Sequence, residues 1–227
     1  MKQTLTFILA LLVLMGIHAE DYQLRVGQFD RLVVNDSINV IYRSLPDSTG
    51  IVAFRADKSF ADAIIYNIND GQLKVNVSTE FVGRQGLPTV YVYSDFLTSV
   101  SNSGSGKVKI ENPAPNPKFK ANLMGNGAIE VSGLHSTDVQ GKITTGNGLI
   151  TLSGRCQTLN LQLIGTGTIQ ADCLEADVVK IKSMGGGSIG CWPVSSLNAN
   201  CLGTTKIYYK GDPVIKKKGG GKLLELE

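Results

Sequence analysis

Seven short stretches decide the fold. They are Gly104-Ser105-Gly106-Lys107-Val108, Gly125-Asn126-Gly127-Ala128-Ile129, Gly146-Asn147-Gly148-Leu149-Ile150, Gly165-Thr166-Gly167-Thr168-Ile169, Gly185-Gly186-Gly187-Ser188-Ile189, Gly203-Thr204-Thr205-Lys206-Ile207 and Gly219-Gly220-Gly221-Lys222-Leu223. Their first glycines are 21, 21, 19, 20, 18 and 16 residues apart. A period near 20 residues marks a solenoid or an array. In each copy the glycines permit a sharp corner. The aliphatic residue four places on starts a strand and points inward. Ile110, Val131, Leu152, Ala171, Cys191 and Tyr209 follow two places later, on the same face. A second short strand precedes each corner, as at Phe119 to Leu123 or Leu159 to Leu163. Strand, corner, strand, turn is one coil of a parallel β-helix, which buries its inner face only when coils stack. The rival is a hairpin of an antiparallel meander or barrel. Stacking of equivalent corners favours the all-β parallel solenoid, because a meander reverses direction within each copy.

Residues 20–97 lack that period and read as an N-terminal β region, a separate β layer or cap ahead of the repeats at 98–227. Asn69-Asp70-Gly71 between Ala63–Tyr66 and the alternating Leu73–Val77 signals a tight hairpin. Pro46–Gly50 marks a turn, and only Ser59 to Ile65 has room for the start of a helix. Residues 1–19 read as a secretory leader cut after Ala19: Lys2 is basic, and Leu5 to Ile17 is apolar but shorter than the roughly 17–25 residues of a membrane span. No later apolar run approaches a spanning length, so the exported chain is expected in the periplasm or at the cell surface.

Composition agrees. Of 227 residues, 42% are hydrophobic, 18% charged and 26 are glycine, which argues for a globular, glycine-punctuated β protein. The net charge of +3 is too small and too evenly spread to predict a nucleic-acid partner.

The motifs that carry chemistry elsewhere are weak here. Gly185–Gly190 matches GxGxxG, but Cys191-Trp192-Pro193 precludes the following helix that dinucleotide binding needs. Gly186–Gly190 matches GxSxG, yet Ser188 would need His135 from about two coils away. His135 and four cysteines at spacings 17, 18 and 10 fit no zinc pattern, so no metal or cofactor is expected. Asp172, Glu175 and Asp177 are the only acidic cluster among the repeats, and a glycosidase pair there is a minor reading. Cys173 and Cys191 each stand 12 residues before a corner glycine, as does Leu134. Stacked coils would bring the two cysteines within disulfide range or into a buried stack of free thiols, the favoured reading. Asn126 and Asn147 form either an amide ladder or a sugar-binding pair. Lys216-Lys217-Lys218 either blunts the last open edge or meets anionic glycan or lipid headgroups.

Phe29-Asp30-Arg31-Leu32-Val33-Val34, Asp70-Gly71-Gln72-Leu73-Lys74-Val75, the glycine corners and Tyr209-Lys210-Gly211-Asp212-Pro213 occur in an order that resembles the putative auto-transporter adhesin head GIN domain family, over about residues 28–225. The resemblance implies an all-β, helix-like repeat domain in the envelope of Bacteroidetes-type bacteria. It brings no catalytic residues. The expected function is therefore a non-enzymatic, adhesin-like solenoid that binds a glycan or cell-surface ligand. Its candidate contacts are Ser101, Asn102, Ser103, Ser105, Asn126 and Asn147. The rivals are a polysaccharide-degrading β-helix enzyme and a structural envelope protein polymerising through open coil edges.

Overall fold

The computed structural model describes residues 19–226, so the body of the expected leader lies outside the described residues. Four long strands carry the repeat: β11 (Ala128–Thr145), β12 (Leu149–Gly165), β13 (Thr168–Gly185) and β14 (Ser188–Gly203). Each runs from one glycine corner to the next and bends midway. Every contact between them is parallel, with Ile129, Ile150, Ile169 and Ile189 in one register column. The antiparallel meander is thereby excluded for the repeats, and a parallel β-solenoid results.

Shorter strands complete the stack. β8 (Ser99–Asn102), β9 (Lys107–Glu111) and β10 (Asn116–Met124) lie on one side, and β15 (Lys206–Tyr209), β16 (Val214–Gly219) and β17 (Lys222–Glu225) on the other. Each coil thus has two legs. Leg A precedes a glycine corner and leg B follows it.

The period-two alternation explains the core. On leg B, Val108, Ile129, Ile150, Ile169, Ile189 and Ile207 are fully buried. On leg A, Phe119, Val139, Leu159, Val179 and Leu197 form the facing column. Each such side chain contributes roughly 1.5–3 kcal/mol when removed from water. One coil supplies only a handful, which is why the coils are stable only together.

The N-terminal region joins the same hydrogen-bonded sheet. It contains β1 (Glu20–Arg25), β2 (Arg31–Val34), β3 (Val40–Ser44), β4 (Ile51–Ala56), β5 (Ile64–Asn69), β6 (Gln72–Val77) and β7 (Val90–Ser94). β2 pairs in parallel with β8 on one side and β6 on the other, and β3 does the same with β9 and β7. The coil 31–44 therefore sits between the coils 72–94 and 99–111, so spatial order departs from chain order. Its corner is made by Asp36, at φ 62°, directly beneath Gly104. β5 folds back on β6 through Asp70 and Gly71, both at positive φ, as the hairpin signal predicts. The stretch 59–65 forms only the end of a short 3-10 turn (Lys58–Phe60) before β5 begins.

Three local expectations are corrected. Cys173 and Cys191 do not share a column: Cys191 pairs with Ala171, whereas Cys173 pairs with Ser153. The residues 172–174 bulge at the bend, so counting back from the glycine misaligns the two copies. All four cysteines are free; Cys156, Cys191 and Cys201 are buried and Cys173 is exposed. Asn126 and Asn147 do not bond amide to amide. Instead the Asn147 backbone N–H donates to Asn126 Oδ1 at 3.0 Å. In the last corner Gly220, not Gly219, lies over Gly203, because Gly219 is in register with Cys201.

Candidate functional site

The outward side of leg A is a regular surface. Its inward partners (Phe119, Ala121 and Leu123 in the first full coil) are buried, so the residues between them must face out. Parallel pairing then aligns these residues in columns along the axis. One column reads Lys120, Gln140, Asn160, Lys180, Asn198, Lys216. The next reads Asn122, Lys142, Gln162, Lys182, Asn200, Lys218. Every position in both columns is lysine, asparagine or glutamine. The columns continue toward the N-terminus through Ser99 and Ser101, Arg31 and Val33, Gln72 and Lys74, and Asn69 and Asn67, with no carboxylate among them. Nine strand spacings of about 4.8 Å make this face about 43 Å long.

None of the lysines in the two columns pairs with a carboxylate among the described residues. Asp138, which borders Lys120 and Asn160, accepts from Asn160 Nδ2 at 2.9 Å. Shallow depressions lie between the lysines, one around Lys120, Asn160 and Lys180 and another around Lys182, Asn198 and Lys216. Beside the glycine corners the face is bordered by an exposed apolar ridge of Met184 and Leu202 on adjacent coils, with Met124 exposed farther along. Leg B is different in kind. There Lys107 pairs with Glu130, and Glu111 accepts from Lys109 Nζ and Arg43 Nε, each at 2.7 Å. Those two hydrogen bonds hold the Glu111 carboxyl below the ordinary range. In these coils leg B pairs its charges, although among the described residues Lys206 and Lys222 stack unpaired at its far end, whereas leg A leaves the lysines of both columns available along six coils.

Of the residues singled out in the sequence, Ser101 lies on the leg A face, in register with Asn122. Asn102 is 1% exposed. Its amide donates to Gly106 O and Ala128 O, and its Oδ1 accepts from the Gly104 N–H, so the side chain is spent on closing the corner. Ser103 bonds to Asn35 and Ser105 to Ser37, tying the first glycine corner to the coil below. Asn126 and Asn147 stand exposed at the next corners. The structure thus lines four of the six along the corner edge, places one on the broad face and buries one.

Ser188 begins a strand rather than a helix and is hydrogen-bonded to Thr168 at 3.1 Å. Asp172 faces Lys210 and Glu175 faces Arg155, each at 3.8 Å. Among the described residues no group of His, Cys, Asp and Glu is placed to hold a metal, and no helix is long and apolar enough to cross a membrane.

The lysine and amide columns had a signal in the sequence. In the copies ending at Gly125, Gly165, Gly185 and Gly203, the fifth and third residues before the glycine are Lys-Asn, Asn-Gln, Lys-Lys and Asn-Asn.

Solved structures share this architecture. A putative adhesin from Bacteroides fragilis is 23% identical, with TM-score 0.83, over 92% of this chain and 97% of that one. A putative adhesin from Parabacteroides merdae is 20% identical, with TM-score 0.69, over 92% and 96%. A protein from Parabacteroides distasonis described as a putative lipid binding protein is 19% identical, with TM-score 0.70, over 93% and 98%. At these identities the likeness shows the fold. No curated protein matches the chain in sequence at a significant level. Residues 28–213 match the family described as "Putative auto-transporter adhesin, head GIN domain", and the chain belongs to that family.

Proposed function

We propose that the protein is an exported, non-enzymatic, adhesin-like solenoid that binds an extended glycan or another cell-surface polymer along leg A. The observation that carries this reading is the pair of columns in which every side chain is lysine, asparagine or glutamine. Such side chains offer hydrogen bonds and charge without acid–base partners, which suits recognition rather than bond cleavage. Of the three clustered acids, Asp172 and Glu175 are engaged by Lys210 and Arg155. A flat, rigid, periodic face also suits a ligand that is itself periodic, since little ordering is required of the protein on binding.

The test is a glycan array probed with the leaderless chain and with a variant carrying Asn160→Ser, Gln162→Ser, Asn198→Ser and Asn200→Ser. Glycans retained by the parent and lost by the variant, with unchanged circular dichroism, support the reading. Retention by both removes leg A as the site. Protease shaving of intact cells, with a periplasmic marker as control, tests the surface location. A second reading draws on the ridge of Met184 and Leu202 beside the lysines, together with the neighbour described as lipid-binding: contact with an anionic lipid surface.

A further inference from the structure

We infer that leg A takes a linear acidic glycan whose negative group recurs on every second sugar, laid parallel to the solenoid axis. This deepens the adhesin-like reading and rests on it.

The inference comes from the order within the second column. Asn122, Lys142, Gln162, Lys182, Asn200 and Lys218 alternate strictly, amide then lysine, over six consecutive coils. The first column, with Lys120, Lys180 and Lys216 separated by Gln140 and Asn160 on one side and by Asn198 on the other, has the same residue types without the strict alternation. Neighbouring coils are about 4.8 Å apart, so successive lysines of the second column recur about every 9.6 Å. An extended β-linked pyranose chain advances by about one coil spacing per sugar. A disaccharide repeat therefore spans two coils. Its uronate or sulfate meets a lysine, and the neutral sugar between meets an amide, which can donate to and accept from hydroxyls.

Charge decides the sign of the partner. The two columns carry six lysines and no acid, and Lys118 adds a seventh cation opposite the single Asp138. The lysines of one coil cannot neutralise those of the next, so an anionic polymer relieves repulsion as well as forming contacts. The amides decide between a glycan and a bilayer. Against a fluid bilayer, Gln162 and Asn200 would give up water for headgroup groups that nothing holds at the coil spacing. Sugar hydroxyls replace that water.

The experiment uses the leaderless chain with four probes: hyaluronan, which carries a carboxylate on every second sugar; polygalacturonate, which carries one on every sugar; neutral dextran; and phosphatidylglycerol vesicles. Binding is read by biolayer interferometry. Two variants lose the same charge from the same face: Lys142→Gln/Lys182→Gln/Lys218→Gln from the alternating column, and Lys120→Gln/Lys180→Gln/Lys216→Gln from its neighbour. The expected result is saturable binding of hyaluronan, in preference to polygalacturonate although the latter is more highly charged. Salt near 1 M, where the screening length is about 3 Å, should release it. The first variant should weaken binding about tenfold, three exposed charge contacts each contributing a factor of about two, and the second clearly less.

Equal losses in the two variants, tighter binding of polygalacturonate, or tighter binding of the vesicles would each overturn the inference. Absence of hyaluronan binding also overturns it. If the array glycans are then still lost on substitution of Asn160, Gln162, Asn198 and Asn200, the adhesin-like reading stands alone; if no probe or array glycan depends on leg A, both fall.

Discussion

Leu32 and Val100 are in register on adjacent parallel strands, both fully buried, although the β5–β6 hairpin and β7 lie between them in the chain. Leu32 also stacks on Leu73 on its other side. The coil 31–44 is thus a middle layer, and its side chains are packed from both sides. Truncation by Leu32→Ala leaves a cavity there and is expected to cost about 2–5 kcal/mol. The only tryptophan, Trp192, lies in the coils toward the other end. In a stack whose coils are coupled through their interfaces, the urea midpoint seen by Trp192 fluorescence should fall together with that seen by far-ultraviolet circular dichroism. A Trp192 transition that stays in place would show that the N-terminal coils unfold on their own.

The same layer marks where the sequence was hard to read. Seven glycine corners made the C-terminal coils legible because glycine is the residue that a tight, closely stacked corner selects. The corner of the coil 31–44 uses Asp36 at φ 62°, which carries no glycine flag. Its neighbours in space come from 72–94 and 99–111, and no periodicity along the chain can report a stacking order that the chain does not follow. The position of Cys173 is hidden for a related reason: the bulge at 172–174 breaks a count made from one end of the coil. The lysine and amide columns were legible in principle, since their residues recur at fixed distances before the corner. What had to be supplied by structure was that Lys107 and Lys109 on leg B find carboxylates, whereas the lysines of the two leg A columns do not.

The corners themselves can be probed by comparing two glycines of similar backbone. Gly146 has φ 91° and Gly83 has φ 82°. A Cβ at Gly83 meets nothing within 4 Å, so Gly83→Ala should cost only the left-handed backbone, roughly 1–2 kcal/mol. At Gly146 a Cβ would overlap the Gly125 carbonyl of the coil below, which is backbone and cannot swing aside. Gly146→Ala adds overpacking of another 1–3 kcal/mol or so and should lower the urea midpoint distinctly further. Equal effects would mean that adjacent corners can separate at little cost.

Thiol reactivity reports whether the core is closed. Burial pushes the thiols of Cys156 and Cys191 up to about 12. The thiolate is the reactive form, so near neutral pH both should resist alkylation, and Cys201 is buried out of reach of the reagent. Cys173 is exposed. Iodoacetamide on the native protein is expected to modify Cys173 first and nearly alone, and all four cysteines in urea, as read by peptide mass spectrometry. Comparable labelling of Cys156 in the native state would show that the coils open readily.

The ion cluster on leg B should make stability depend on pH in a defined direction. Glu111 on β9 accepts from Lys109 and from Arg43, its register partner on β3, so the cluster joins the coil 99–111 to the coil 31–44. The hydrogen bond from Lys109 and then that from Arg43 hold the folded carboxyl below its ordinary value. In the unfolded chain a glutamate protonates near pH 4.3 or so. Above that pH both states are ionised and the stabilisation is complete. As pH falls through the lower folded value, the folded state protonates as well and the contribution is lost. Glu111→Gln should therefore destabilise the protein near neutral pH, by less than about 1 kcal/mol because solvent screens the pair. The gap between parent and variant should close on acidification below about pH 4. Urea titrations at several pH values measure that gap directly. A gap of the same size at every pH would assign the effect to packing of the side chain rather than to its charge.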